Sequence, residues 1–496
     1  MGIIQKDAFR TMVISYAGLF LGYLNKGFLF VIVLNEMQLG LVNLILTVGL
    51  LFAQMASLGT VVTAWKFLPF FKNQQKRHHG FFPLMLVIIL IGIVICTALA
   101  LVFKESVANL YLERSPVFVE YYYLILPIGI GYVLYLMLDS YLKGFYKNIV
   151  SVFALEIVLR ALIFILLLAF WMKWISFNTF VSLHSLMYLI PASILIVYLQ
   201  RLGELNLDFS SIKISKRFRK IIFQFTTYNY INSLGAILVQ SLDVLMIAWL
   251  LGLEATGVYA TVVFLASALQ VPYRSIIRIS SPLVSEYWKL RQLDKMKELY
   301  TMVSSVSLFI GLASFAIIWM NIDFIFSLPF LGPEFQKGKW VFFFLMMGRL
   351  LDMFFGINGS IFSTSKKYKY DLVFTVVLIG LVYFLNLWFI PIWGMIGAAI
   401  STAIAVVVYN FGRILFVWKV YKLHPFIANQ FKVIGLGVFT LFTWTQIAPL
   451  IHNEWFRVIF SGIFLIVFFV FPVFVFDWEK ESKNYMKKVL KRIKND

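Results

Sequence analysis

Apolar residues fill this chain in segments of about twenty, separated by short polar stretches. A membrane-spanning helix needs about 20 mostly apolar residues, because the hydrocarbon core of a bilayer is about 30 Å thick. The pattern therefore predicts an all-α integral membrane fold with about fourteen transmembrane helices. Their expected ranges are 11–34, 40–65, 80–103, 121–142, 149–171, 178–199, 220–251, 257–281, 299–321, 339–362, 371–390, 394–418, 431–450 and 455–476.

Composition excludes a soluble protein. Of the 496 residues, 61% are hydrophobic and 13% are charged, whereas soluble domains are about 45–50% apolar and about 25% charged. The only cysteine, Cys96, lies in an apolar segment, which excludes a disulfide framework. The opening MGIIQKDAFR leads directly into the first apolar segment without a small-residue cleavage site. We therefore expect that segment to be a retained first helix.

The basic residues predict the orientation. With the N-terminus in the cytoplasm, 34 of the 43 Lys and Arg residues fall in inner segments and six in outer ones. This distribution follows the positive-inside rule and places both termini in the cytoplasm, with the multi-pass chain in the cell inner (plasma) membrane. The net charge of +20 then serves topology and contact with anionic membrane lipid, so nucleic acid is not an expected partner. The basic tail 479–496 is expected to lie on the inner leaflet.

A shift of 217 residues aligns the first predicted helix with the seventh. Gly18 then falls on Gly235, Gly40 on Gly257, and Lys26 on Asp243. Together with the helix count, this repeat predicts two pseudo-symmetric six-helix bundles, at 1–200 and 201–420, followed by two additional helices at 421–478. Parallel repeats of this kind are typical of transporters that work by alternating access.

Lys26 stands out among the polar residues of the predicted spans. A lysine at the centre of a membrane helix costs about 2.5 to 3.5 kcal/mol on insertion scales, so a functional role is expected for it. Gly18, Gly22 and Lys26 are spaced four apart, and the glycines leave space for a neighbouring helix or a ligand. Asp243 likewise has no charged partner nearby in sequence. Either Lys26 and Asp243 face each other, or each faces a water-filled cavity.

Other polar residues form polar faces on the predicted helices. Gln240 and Asp243 lie on one face of the seventh helix, Gln270 on the eighth and Gln54 on the second. Lipid cannot satisfy such groups, so they are expected to look at protein or water. Two acid–base pairs, Glu156 with Arg160 and Arg349 with Asp352, are spaced to neutralise themselves within one helix.

Motifs for catalysis are missing from the sequence. It contains no nucleotide-binding G-x-x-x-x-G-K-[ST] loop and no G-x-S-x-G or H-E-x-x-H motif. The predicted outer loops are too short to form a catalytic domain. His78 and His79 lack acids or cysteines at metal-ligand spacing, so we interpret them as part of a solvated loop. These observations favour a transporter over an enzyme, with no catalytic residue and no metal site.

The run LNLWFIPIWGMIGAAIST, residues 385–402, resembles the connection between the eleventh and twelfth helices of polysaccharide flippases. Those proteins belong to the multidrug/oligosaccharidyl-lipid/polysaccharide (MOP, MATE-like) exporter superfamily. In this run Pro391 and Gly394 predict a tight outer turn, and Gly397 allows the next helix to approach closely. The segment 257–285, the opening MGIIQKDAF and the inner loop KNQQKRHHGF are also similar to flippases of this type.

The resemblance implies transfer of an isoprenoid-diphosphate-linked oligosaccharide, such as an O-antigen unit of lipopolysaccharide, to the outer leaflet. Lys26 matches the family's diphosphate-binding cations, and Arg160 and Arg349 are candidates to join it. The glutamines Gln54, Gln240 and Gln270 are candidate substrate contacts. A coupling ion, Na⁺ or H⁺, is expected at Asp243, Asn386 and Thr402, which lie on the helices that bind Na⁺ in some relatives.

The resemblance also leaves a second function open and suggests partners. The expected partners are the lipid-linked oligosaccharide and, within the same cell-envelope pathway, a glycan polymerase or glycosyltransferases. The alternative function is a cation-coupled multidrug antiporter of the same superfamily, in which Asp243 would attract cationic drugs.

Overall fold

A computed structural model describes residues 2–72, 77–205, 207–208, 216–329, 331–367 and 369–478. These residues form helices and turns, and no β-strand occurs among them. Thirteen helices of the described chain are long and apolar enough to cross a membrane, or fourteen if one bent pair counts as a single span. Helices suit lipid because every backbone group is satisfied within the segment. The predicted basic tail, 479–496, lies outside the described residues.

We number the spans α1 to α14 in chain order. They are Arg10–Val33 (α1), Glu36–Ala56 (α2), Phe81–Val102 (α3), Tyr122–Gly144 (α4), Ile149–Trp171 (α5), Phe177–Arg201 (α6), Arg219–Leu250 (α7), Leu253–Leu290 (α8), Leu293–Met320 (α9), Pro333–Phe354 with Asn358–Thr364 (α10), Lys369–Trp393 (α11), Met395–Tyr421 (α12), Ala428–Leu450 (α13) and Glu454–Val475 (α14).

Two predicted spans are interrupted. The span predicted at 40–65 breaks after Ala56, where Leu58 and Gly59 have φ of 43° and 77°, and a separate helix, Thr60–Phe71, follows. The tenth span bends by 54° between Phe354 and Asn358. An apolar run shows the length of a span but carries little signal for such a break, so sequence reasoning missed both.

Three spans contain a short π-helical turn: Leu24–Leu29 in α1, Ala154–Leu159 in α5 and Ile466–Val470 in α14. A π turn inserts one extra residue into a helix and is frequent at functional sites. The first of these turns contains Lys26 and the second contains Glu156. The two turns therefore mark the part of the molecule in which charge was predicted.

The chain divides into two compact units, Met1–Thr261 and Val262–Asp496. The core of the first unit includes the fully buried side chains of Phe81, Tyr141 and Leu195, from α3, α4 and α6. The core of the second unit includes Tyr300 and Phe362 from α9 and α10. The first unit contains α7 and the start of α8 as well as α1 to α6. The bundle ranges predicted at 1–200, 201–420 and 421–478 stay a prediction.

The turn between α11 and α12 has the predicted form. Gly394 has φ 58° and ψ −138°, a conformation that glycine adopts readily, and its N–H donates to the Ile390 carbonyl at 2.8 Å. A Cβ on Gly397 would overlap the carbonyl oxygen of Phe389. Gly397 therefore allows the close approach of the two helices that the sequence predicted.

The interpretation of His78 as a solvated residue is wrong. His78 is buried, and its Nε2 lies 2.7 Å from the Glu204 carboxylate. Its ring also packs edge-on against Phe145, with the ring centroids 5.3 Å apart. The partner lies more than a hundred residues away, so local composition could not reveal it. The side chain of His79 lies outside the described residues.

Candidate functional site

The site in the first unit is built around Lys26, within the π turn of α1. Its neighbour Asn25 is buried and donates from Nδ2 to the backbone carbonyl of Arg160 at 2.7 Å. Arg160 directly follows the π turn of α5. A π turn displaces backbone hydrogen bonding, and here the Asn25 amide meets one carbonyl at the end of the second turn. The two irregular turns are thereby joined at the level of Lys26.

Gly18 and Gly22, which precede Lys26, make room for a pair of charged side chains from α5. Arg160 forms an ion pair of 2.7 Å with Glu156, so the in-helix pair predicted there is confirmed. A Cβ on Gly18 would lie 2.6 Å from the Glu156 Cβ, and a Cβ on Gly22 would overlap the Arg160 guanidinium. Arg160 also donates from Nη1 to the Gly18 carbonyl. The sequence predicted that this space would take either a neighbouring helix or a ligand, and in the structure the neighbouring helix α5 occupies it.

Lys26 itself is not neutralised. It is half-buried, and no hydrogen bond or ion pair joins it to any residue in the described part of the chain. In particular, it forms no ion pair with Asp243. Arg160 lies close enough to interact electrostatically with Lys26. A membrane cation of this kind is expected to face the bundle interior or water, where an anion can reach it.

His184 is a neighbour of Lys26 that sequence reasoning missed. It is buried in α6, near enough to Lys26 to interact electrostatically. Its ring meets Phe30 edge-on at 6.2 Å and Tyr188 at 5.6 Å. A lone histidine in an apolar helix gives no pairing signal in the sequence. Its aromatic neighbours come from α1 and α6 and meet only in the fold.

Arg349 and Gln270 are the predicted substrate contacts that lie in the second unit, and both lie near Asp352. Arg349 donates to the Val263 carbonyl at 3.1 Å, and Gln270 donates to the Asp352 carboxylate at 3.3 Å. The other Asp352 oxygen accepts from Asn410 at 3.0 Å, and Asn410 accepts from Asn358 at 2.9 Å. Asp352 is thus held by two amides, a network that the spacing of Arg349 and Asp352 did not predict.

The remaining predicted glutamines lie in the first unit. Gln54 is half-buried near the end of α2, and Gln240 is exposed on α7. The side-chain amides of both lack a hydrogen-bond partner among the residues that the structure describes. Their role as substrate contacts stays a prediction.

Asp243 is buried in α7 and accepts a hydrogen bond of 2.6 Å from the Tyr259 hydroxyl, which α8 supplies. Asn386 is buried in α11 and Thr402 half-buried in α12, both in the second unit. No cluster of three or more His, Cys, Asp or Glu residues suited to a metal ion occurs among the described residues. The coupling-ion site at Asp243, Asn386 and Thr402 stays a prediction.

Within the first unit, α2 and α8 cross at the two glycines that the repeat aligned. A Cβ on Gly40 would overlap the Leu253 carbonyl oxygen, and a Cβ on Gly257 would overlap that of Glu36. Each carbonyl belongs to the residue four positions before the opposite glycine. The contact is therefore reciprocal, and its register is the predicted shift of 217. In the loop between α3 and α4, Ser115 donates to the Ala248 carbonyl of α7 at 2.6 Å.

Two solved structures have a fold similar to that of this chain. One is described as the lipid II flippase MurJ in an inward closed conformation, with a TM-score of 0.68 and 16% identity over 95% of this chain and 98% of that one. Another is an inward-facing multidrug resistance MATE family transporter of the MOP superfamily, with a TM-score of 0.63 and 15% identity over 80% of this chain and 93% of that one. The chain is thus a multi-pass membrane protein with the all-α fold of this superfamily, as predicted.

The family is shown by sequence. The family model described as polysaccharide biosynthesis protein matches residues 4–288, more than half of the chain, and the protein belongs to that family. A further relative is an uncharacterized membrane protein of Methanocaldococcus jannaschii. It is 24% identical over 426 residues, which are 79% of this chain and 80% of the relative.

Proposed function

We propose that this protein flips an isoprenoid-diphosphate-linked oligosaccharide from the cytoplasmic to the outer leaflet by alternating access. The observation that carries the proposal is Lys26, a membrane cation without an ion-pair partner among the described residues, on a π turn beside Arg160. A diphosphate supplies the negative charge that such a cation attracts. Membership of the polysaccharide biosynthesis family and a fold shared with a lipid II flippase support the same substrate class.

In this mechanism the anionic headgroup reaches Lys26 from the cytoplasm while the isoprenoid tail stays in lipid. The α2–α8 crossing closes the predicted outer end of the first unit, since a backbone contact through two glycines leaves no room for a headgroup. Release to the outside then requires Gly40 and Gly257 to separate. The protein acts as a carrier, and no chemical step on the substrate is involved.

The residues proposed for cation coupling, with Na⁺ or H⁺, are Asp243 in the first unit and Asn386 and Thr402 in the second. The support for this role is a carboxylate that is buried in α7, where the Tyr259 hydroxyl donates to it at 2.6 Å. Asp243→Asn is expected to remove the dependence of transport on a Na⁺ or pH gradient. Unchanged ion dependence in that variant would remove Asp243 from the coupling role.

The proposed setting is the cell inner membrane, with both termini in the cytoplasm. The substrate class fits cell-envelope polysaccharides of the O-antigen and lipopolysaccharide type, so glycosyltransferases and a glycan polymerase are the proposed pathway partners. Cysteine-accessibility labelling of the termini in intact cells tests the orientation, with the native Cys96 replaced by alanine.

Deleting the protein and locating its lipid-linked glycan tests the proposed function. The expected result is a completed intermediate on the cytoplasmic leaflet, cleared by the wild-type gene but not by Lys26→Ala. We expect export by that variant to fall by about tenfold or more, the effect of losing one charge–charge contact in a low-dielectric site. Lys26→Arg should recover part of the loss, and the exposed Lys289→Ala is the matched control.

Full export by Lys26→Ala, at wild-type abundance in the membrane, would contradict the proposed role of this residue. The second candidate function is a cation-coupled multidrug antiporter, which is favoured by the MATE-like fold and the buried acid Asp243. That function predicts no trapped glycan after deletion. It predicts instead a lowered efflux of cationic dyes, which Asp243→Asn would reproduce.

A further inference from the structure

Three charged residues lie where α1 and α5 cross: Glu156 pairs with Arg160, and the Arg160 guanidinium lies over Gly22, four residues before Lys26. Two are cations and one is an anion, so the cluster has a net charge of +1. Arg160 and Glu156 are 30% and 26% exposed at their side chains, so neither is sealed inside the protein core. A cluster that only needed to be neutral would not leave Lys26 unpaired, because an uncompensated membrane charge is costly.

The structure also shows how Arg160 is held. Its guanidinium lies over Gly22, donates to the Gly18 carbonyl and pairs with Glu156 at 2.7 Å. Asn25 fixes the backbone of Arg160 from the opposite helix. The cation is therefore kept beside Lys26 while its charge is cancelled by Glu156.

We propose that Glu156 is an affinity-limiting counter-anion, which neutralises Arg160 so that the site offers an anionic headgroup one net positive charge instead of two. This inference rests on the proposed function and concerns how tightly that site holds its substrate. Glu156 does not bind the headgroup itself; it acts through Arg160.

The physical reason for such a counter-anion is that the site must also release the headgroup. A diphosphate that links a lipid to a sugar carries two negative charges. Two unopposed cations in a low-dielectric site would bind it strongly, since electrostatic attraction rises as the dielectric falls. A transport site must bind well enough to load and weakly enough to unload. Glu156 meets the second requirement without removing Arg160.

Four versions of the full-length protein test the proposal, because each has a defined net charge at the site. Glu156→Gln has +2, the wild type +1, Arg160→Gln 0, and the double variant Glu156→Gln/Arg160→Gln again +1. The probes are a polyisoprenyl diphosphate carrying one sugar and the monophosphate analogue with the same lipid and sugar. Kd is measured for each in detergent, and turnover is measured in proteoliposomes.

We expect Glu156→Gln to bind the diphosphate probe about tenfold more tightly than wild type. The monophosphate probe should gain only about threefold, since its charge is half as large. Turnover should fall because release slows. Arg160→Gln should bind more weakly than wild type, the double variant close to wild type, and Glu156→Asp should restore normal behaviour. Glu113→Gln, on the exposed outer loop, controls for the change in overall charge.

A purely structural pair gives a different pattern, in which Glu156→Gln weakens both probes equally or changes neither. Either result overturns the inference. If Glu156→Gln does not fold, the comparison of Arg160→Gln with the double variant still tests the inference. The double variant must then bind the diphosphate probe more tightly than Arg160→Gln does. If the wild type binds neither probe, the proposed function fails. The wild type could instead bind the diphosphate probe while Lys26→Gln does not, with no gain of affinity in Glu156→Gln. In that case the proposed function stands and only this inference fails.

Discussion

Two helix crossings in the first unit depend on glycine, and they use it in opposite ways. Where α2 meets α8, Gly40 and Gly257 bring backbone against backbone, and each glycine faces a carbonyl oxygen. Where α1 meets α5, Gly18 and Gly22 make room for the side chains of Glu156 and Arg160. One crossing removes all space between its helices, whereas the other fills the space with charge.

The difference indicates which crossing can tolerate a change. A carbonyl within a helix cannot move without shifting the helix, because its position is set by the hydrogen-bonding ladder. The end of an arginine side chain can rotate at little cost. We therefore expect a substitution at the first crossing to act on the fold and its closure, and one at the second to act on the site.

The largest effect is expected from Gly257→Leu, which would force a side chain into the Glu36 carbonyl. Overpacking a closely packed contact costs about 3 kcal/mol, so thermal stability should fall clearly and transport should be lost. The melting temperature of the purified protein provides the measurement. Gly435→Leu is the matched control, since a Cβ at that position on α13 meets nothing within 4 Å. Normal stability and transport in Gly257→Leu would refute the closed crossing.

A smaller and different effect is expected from Gly22→Ala. Its Cβ meets the guanidinium of Arg160, so Arg160 should shift and the affinity for a lipid diphosphate should change by about tenfold, or about 1.4 kcal/mol. The melting temperature should stay within a few degrees of wild type. Gly40→Ala, tested in parallel, should do the opposite: it should lower the melting temperature and leave the affinity for the lipid diphosphate unchanged. Equal loss of stability in both variants would remove the distinction between the two crossings.

The smallest effect is expected from Ser115→Ala in the loop between α3 and α4. This change removes the hydrogen bond to the Ala248 carbonyl and costs about 1 kcal/mol, the usual contribution of one hydrogen bond. Cysteines placed on either side of the crossing, in a Cys96→Ala background, should react with thiol reagents more often in this variant. Substrate Kd should not change. A change in Kd with unaltered labelling would mean that the loop acts on the site instead.

Much of the fold could be predicted from the sequence. The apolar runs located the spans to within a few residues for most helices, for example Phe81–Val102 against a predicted 80–103. The glycine pattern at 394–397 predicted the α11–α12 turn. These features are local or periodic, so their cause lies in the order of residues along the chain. The repeat aligned Gly40 with Gly257, but that the two glycines lie against each other comes from the structure.

The site could be predicted only in part. Lys26 was evident because a charge in lipid is costly wherever it occurs, and the Glu156–Arg160 pair followed from its spacing of four. The break in α2 and the π turns were not evident, since backbone irregularity in an apolar helix is stabilised by neighbours that a single segment does not show.

The sequence by itself thus determined the spans, the α11–α12 turn and the presence of charge in the membrane. Only the tertiary structure decided that the space beside Lys26 is filled by Arg160, that Asn25 binds the backbone of α5, and that His78 is buried against Glu204. The physical reason is that spans and turns depend on the length and the residue types of one segment. Pairing of polar groups depends on which helices meet, and that is fixed by packing across the whole unit.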